Sequence, residues 1–161
     1  MYIITDTSDT RDSPTSAGRS RNMRAIKRVD TKPELELRSA LHRRGHRFRK
    51  DFRIDTEQRR ARPDVVFTKQ KVCIFIDGCF WHSCPIHGRR PTVNQAYWTP
   101  KLTRNSDRDR ATNDALVAEG WIVIRIWEHV ELAAATDRIE RALADRAAGG
   151  PAMQSSVIQV E

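Results

Sequence analysis

The stretch Trp121-Ile-Val-Ile-Arg-Ile-Trp127 constrains the fold more than any other part of this 161-residue chain. It is short, rich in β-branched and aromatic residues, and preceded by Gly120. Such a run reads as a strand, and a strand needs partners. Asp64-Val-Val-Phe-Thr68, after Pro63, reads as a short buried strand, and Val72-Cys-Ile-Phe-Ile76 as another. The polar Lys69-Gln70-Lys71 between them suits a hairpin turn. Upstream, His46 to Ile54 alternates, with Phe48, Phe52 and Ile54 among Arg47, Arg49, Lys50 and Arg53. That predicts a half-exposed strand.

Helices fill the gaps. Thr31-Lys32-Pro33-Glu34 has the capping-box form, with Thr31 or Asp30 as cap and Pro in the first turn. Leu35, Leu37 and Leu41 follow, and Gly45 can end the helix. Asn94 to Glu119 is mostly polar, anchored by Tyr97, Trp98, Leu102, Leu116 and Val117, and predicts a helix interrupted near Pro100. Leu132 to Ala147 predicts an Ala-rich amphipathic helix. The order α-β-β-β-α-β-α predicts an α/β protein with a mixed central sheet flanked by helices. Residues 1–18, polar and acidic, and 147–161, which begin Ala-Ala-Gly-Gly-Pro, read as flexible tails.

Hydrophobic residues make up 39% and can support a core, which excludes wholesale disorder. No apolar run is long enough to span a bilayer, and residues 1–18 lack the layout of a signal peptide, so the expected location is the cytoplasm, at the nucleoid. The net charge is +8, and residues 19–62 hold 16 Lys/Arg against 6 Asp/Glu. A basic segment this concentrated points to a polyanion, nucleic acid first and an anionic membrane surface second, although a solvated Arg-rich surface has the same composition. Three cysteines do not make a disulfide framework, and they suggest metal binding or buried thiols instead.

Four groups of residues carry chemistry. Cys79-x4-Cys84-x2-His87 offers soft thiolates and imidazole at a spacing suited to tetrahedral zinc, with His129 the candidate fourth ligand just beyond the Trp121–Trp127 strand. Packing cysteines and a loop histidine would look the same. Cys73 reads as a core thiol. Asp64, after Arg62-Pro63, and Asp77, 13 positions later, fall where a strand start meets the end of its antiparallel neighbour. Two carboxylates there suit Mg²⁺, and a nuclease uses such an ion to activate water and neutralise the scissile phosphate. An aspartate that merely forms a turn after proline is the plainer alternative. In Gly78-Cys79-Phe80-Trp81-His82, the histidine can act as a general base and the aromatics can stack on or wedge between bases, or simply cover the metal loop. Trp98, Lys101, Asn105 and Asp109 share a helix face with Arg104 and Arg108 nearby, an arrangement that suits either a nucleic-acid groove or an anchored surface helix. Glu34 reads as the capping glutamate or as a carboxylate at the metal site.

Taken together, these residues resemble the very short patch repair (Vsr) DNA mismatch endonucleases. The resemblance runs from about residue 20 to 145 and rests on Arg21-Asn-Met-Arg-Ala-Ile26, Arg62-Pro-Asp64, Ile76-Asp-Gly-Cys-Phe-Trp-His82, Tyr97-Trp98, Lys101, Asn105, Arg108-Asp109, Gly120-Trp121 and Trp127-Glu128. It implies a restriction-endonuclease-like core over residues 19–146 with a structural zinc site. It also implies a Mg²⁺-dependent, strand-specific nick 5′ to the thymine of a T:G mismatch, the lesion left by deamination of 5-methylcytosine. By this resemblance Asp64 and the backbone carbonyl of Ile76 hold Mg²⁺, and His82, Glu34 and Asp77 join Asp64 in catalysis. Cys79, Cys84, His87 and His129 take the zinc positions. Phe80, Trp81 and Trp98 match the intercalating aromatics. Arg21, Asn22, Met23 and Arg24 resemble an arm that lies on DNA, and Lys101, Asn105 and Arg108 are further DNA contacts. Asp77 stands where at least one member has histidine, so it is expected to ligate metal or to tune His82.

The partner this implies is double-stranded DNA with a T:G mismatch, bound by a monomer because a mismatch has no two-fold symmetry. Recruitment by other mismatch-repair proteins and the flanking-base preference are left open. Two alternatives stand beside this reading. One is a restriction-type endonuclease on the same core without mismatch preference. The other is a zinc-stabilised DNA-binding module without catalysis.

Overall fold

The computed structural model describes residues 30–88, 91–149 and 157–161. Helix α1 spans Lys32–Arg43. Its start is organised by Glu34, which accepts from the Asp30 backbone N–H and the Thr31 hydroxyl, both at 2.8 Å. Its end is a Schellman turn: Gly45 N–H donates to His42 O and His46 N–H to Leu41 O. Gly45 takes φ of +88°, a conformation that Cβ-bearing residues adopt only at a cost. Leu37 and Leu41 are buried, whereas Leu35 is exposed.

Strands β1 (Ile54–Asp55) and β2 (Arg60–Ala61) form a two-stranded antiparallel ribbon apart from the main sheet. The main sheet is β3 (Val65–Phe67), β4 (Val72–Asp77), β5 (Ile122–Trp127) and β6 (Val157–Val160), in that order. β3 and β4 are antiparallel, with Val65 opposite Ile74, and β4–β5 and β5–β6 are parallel. Helix α2 (Gln95–Ala118) connects β4 to β5, and α3 (Leu132–Ala147) follows β5.

Alternation along the strands divides the core in two. Val65, Phe67, Val72, Ile74, Ile122, Ile124 and Ile126 pack with Leu37, Leu41, Ile139 and Leu143 of α1 and α3. Val66, Cys73 and Val123 face the other way and pack with Leu116 of α2 and with Ile54 and Ala61 of the ribbon. β5 is buried along its whole length, as the apolar run predicts.

The structure differs from the sequence reading in three places. Residues 46–53 contribute one isolated bridge, Arg49 to Val66, and Ile54 opens the short β1 of the ribbon, rather than the whole run forming a third strand of a meander. The segment turns its cations to solvent and leaves Phe48 and Phe52 to pack sideways on the core. Helix α2 runs through Pro100 without a break. Proline there removes one early N–H, and the rest of a long helix supports the turn. Finally, Val157–Val160 is not a tail: it adds the fourth strand to the sheet, with Ile158 beside Ile124. Among the described residues no helix is long and apolar enough to cross a membrane.

Candidate active site and metal loop

Asp64 sits just ahead of β3. Its N–H donates to Ile74 O at 2.9 Å, and its Oδ2 accepts from the Ile76 N–H at 2.7 Å. Burial pushes the Asp64 carboxyl up to about 6; the Ile76 hydrogen bond opposes this, and the nearby charges of Glu34 and Asp77 add to it. The Arg38 charge offsets part of this, so Asp64 is a largely buried carboxylate in a crowded set of charges. Glu34 is 5% exposed. Besides its capping bonds, it lies 3.8 Å from Arg38, which also pairs with Asp30. The cap thus fixes the Glu34 carboxylate, whose charge raises Asp64.

At the same end of β4, Asp77 follows Ile76 and is 3% exposed. Both of its oxygens accept from Arg125 Nη1 at 2.8 Å. Burial raises Asp77 against the pull of Arg125 and His82. His82 Nδ1 lies 3.7 Å from Asp77 Oδ1 and 2.5 Å from Asp109 Oδ2 on α2. Burial works to raise Asp109, but the His82 hydrogen bond and Arg125 outweigh it and hold its carboxyl below the usual range. The histidine is thus oriented by a carboxylate, and that carboxylate is itself anchored.

The metal loop follows directly. Sγ or ring-nitrogen atoms of Cys79, Cys84, His87 and His129 all lie within 4.8 Å of one another, the four residues singled out from the sequence. His129 Nδ1 is 3.1 Å from Cys79 Sγ and 3.8 Å from Cys84 Sγ. Burial and the neighbouring Cys84 push the Cys79 thiol up to about 12, so the pair carries two thiolates only with a cation against it. Two thiols and two imidazoles at the corners of a small space can hold a metal ion. Glu128 ties the loop to β5 by accepting from the Cys79 N–H at 2.8 Å. Gly88 closes it, since a Cβ there would fall 2.4 Å from Cys84 O.

Phe80 and Trp81, between Cys79 and His82 in the chain, converge with aromatics of α2. Phe80 meets Trp81 at 5.0 Å and Trp98 at 5.3 Å between ring centroids, and Tyr97 meets Trp98 at 5.1 Å. Lys101 Nζ lies 5.2–5.4 Å from the rings of Trp81, Tyr97 and Trp98. Asn105 donates to Trp81 O at 3.2 Å. Arg108 is exposed further along α2, where its carbonyl accepts from Arg59. Arg21, Asn22, Met23 and Arg24 lie outside the described residues.

Two contributors escaped the sequence reading. From sequence, Asp109 has a place on a helix face and in the Arg108-Asp109 match but no role at His82, and Arg125 has only a place in a strand. The signal for Arg125 is its place as the sole cation in the Trp121–Trp127 run.

Comparison with known proteins agrees with this architecture. A type II nicking enzyme, V.NaeI of Lentzea aerocolonigenes, is 56% identical over 126 residues, covering 78% of this chain and 76% of that protein. Another, V.HpaIIP of Haemophilus parainfluenzae, is 37% identical over 119 residues, 72% of this chain and 82% of its own. These relatives put the molecule in the class of DNA endonucleases. The DNA mismatch endonuclease Vsr of Escherichia coli K12 is 37% identical over 114 residues, 70% of each chain. The family profile described as DNA mismatch endonuclease Vsr matches residues 11–87. The chain belongs to the Vsr family.

Proposed function

We propose that this endonuclease nicks duplex DNA 5′ to the thymine of a T:G mismatch, on that strand only, and so initiates very short patch repair of deaminated 5-methylcytosine. The observation that carries the reading is that the five residues Gly78–His82 supply both halves of the task. His82 turns to Asp109, while Phe80 and Trp81 join Trp98 under Lys101.

The chemistry follows from the residues. With Nδ1 directed at Asp109, Nε2 of His82 is the nitrogen that meets the attacking water and takes its proton. Asp64 and the Ile76 carbonyl would hold Mg²⁺: the donor set is hard oxygen, and the crowding of Asp64 by Glu34 and Asp77 favours a cation there. When bound, Mg²⁺ neutralises charge on the scissile phosphate. We read the sheet and its helices as a restriction-endonuclease-like core, and the Cys79–Cys84–His87–His129 cluster as a structural zinc site, for which two thiolates and two imidazoles are an apt set. The aromatics part the stack where pairing is already poor, which selects a mismatch by its deformability. The protein acts as a monomer on an asymmetric lesion.

Support comes also from the name of the Escherichia coli relative. The nicking-enzyme names of the others favour a second reading, nicking without mismatch preference. A strand-resolved assay separates them, using labelled T:G and T:A duplexes in several contexts with Mg²⁺ or EDTA. We expect a Mg²⁺-dependent nick in the T strand of T:G duplexes alone. Equal nicking of T:A duplexes would replace this reading with the second.

A further inference from the structure

β5 is buried throughout, yet it carries a cation at its centre. Arg125 is 5% exposed. A buried guanidinium is tolerated only when its donors are used, and here they are. Nη1 serves both oxygens of Asp77 at 2.8 Å, Nη2 lies 3.2 Å from Asp109 Oδ1, and Nε donates to Asn113 Oδ1 at 3.0 Å. The plane lies over Phe75, its register partner on β4, at 4.8 Å. One side chain therefore joins β5, β4 and α2.

The other ends of the same contacts lead to His82. Asp109 divides its oxygens, Oδ1 to Arg125 and Oδ2 to His82 Nδ1. Asp77, 3.7 Å from the same nitrogen, has both oxygens on Arg125. Both carboxylates that approach the histidine are thus shared with one guanidinium. Because Arg125 Nη1 holds both Asp77 oxygens, Asp109 alone makes the close contact to the ring. Without Arg125 the buried Asp77 and the part-buried Asp109 would both face His82 with no fixed division between them.

We propose that Arg125 is a positioning residue of the nicking site, setting Asp77 aside so that Asp109 alone fixes the His82 ring for proton transfer. The proposal rests on the nicking reading above, and its test has one readout that does not.

The variants are Arg125→Met, Arg125→Lys, and Asp77→Asn alone and combined with Arg125→Met. Circular dichroism confirms that each is folded. Single-turnover nicking of a T:G duplex and affinity for that duplex in EDTA are measured separately. Histidine side-chain ¹H–¹⁵N correlation spectra report whether His82 Nδ1 holds a hydrogen-bonded proton. We expect Arg125→Met to slow the nicking step on the order of 100-fold with affinity within about 2-fold, and to lose the His82 Nδ1 signal. Arg125→Lys keeps the charge and should recover part of the rate, on the order of 10-fold. Because the two residues form one unit, the double variant should be no slower than Arg125→Met.

A folded Arg125→Met protein that nicks at the parental rate, or that keeps the His82 signal unchanged, overturns the proposal while leaving the nicking reading intact. So does a double variant whose loss is the product of the single losses. If the parent nicks no duplex, the nicking reading fails, and the His82 spectrum still decides whether Arg125 positions the ring. Failure of Arg125→Met to fold passes the decision to Arg125→Lys and the charge-neutralised double variant, whose spectra must show the same dependence.

Discussion

Asp64 is held in two opposing ways. The Ile76 N–H favours its ionised form, and burial beside Glu34 and Asp77 disfavours it, so its carboxyl titrates near 6 rather than 3.8. A folded-state pKa raised this way adds stability that is fully present below the unfolded value near 4 and is lost as pH rises through about 6. At neutral pH the ionised group therefore costs on the order of 1–3 kcal/mol, the upper end discounted for partial exposure. Asp64→Asn should melt higher than the parent at about pH 7.5 without divalent cation, and the gap should narrow below about pH 6 and close by about pH 3.5. The same variant should not nick. Mg²⁺ should raise the parent's melting temperature and leave the variant's unchanged. Thermal melts across this grid check all three, and an unchanged melting temperature at neutral pH would show that Asp64 is not under the strain its surroundings imply.

Turns and caps decide what the elements tolerate. Gly120 ends α2 at φ of +80°, with its N–H on Val117 O and the Trp121 N–H on Leu116 O, and nothing lies within 4 Å of where a Cβ would point. Gly120→Ala should therefore cost about 1–2 kcal/mol through backbone strain alone, readable by urea denaturation, with nicking unaffected. Gly88 differs, because its Cβ would meet the Cys84 backbone. Gly88→Ala should lower the metal bound by purified protein and loosen the Phe80–His82 segment with it; metal analysis reads the first and nicking the second. Elements whose signals are local were legible in the sequence: the capped α1, the β3–β4 hairpin and the apolar β5. Elements whose existence depends on distant partners were not. Phe48, Phe52 and Ile54 alternate like one strand, but only Arg49 bridges to the main sheet, and Ile54 pairs with Ala61 in the separate ribbon. Val157–Val160 reads as the remnant of a tail until β5 offers it an edge.

At the scale of the molecule, charge and shape act separately on DNA. The net charge of +8, concentrated in residues 19–62, supplies attraction blind to sequence and sensitive to salt. On the function proposed above, the ring cluster supplies discrimination. Trp81→Ala should therefore reduce preference for T:G over T:A duplexes by about 10-fold or more, since each base–aromatic stack is worth roughly 1–3 kcal/mol. It should leave the salt dependence of binding to matched DNA unaltered; a changed salt slope would mean that Trp81 governs phosphate contact instead. The candidate site was legible to the extent that its parts are near in sequence. Cys79, Cys84 and His87 fall within nine residues, and His129 needed only a strand end to meet them. Asp109 and Arg125 were hidden because their partners arrive from other elements, and a lone arginine in an apolar run says nothing about which carboxylate awaits it. The Asp77–Arg125 pair has a consequence for descent. Either residue mutating first leaves an unmatched ion in the interior, so a lineage can abandon this arrangement only through a compensated double change. Across divergent members the two positions should therefore drift as one inherited character.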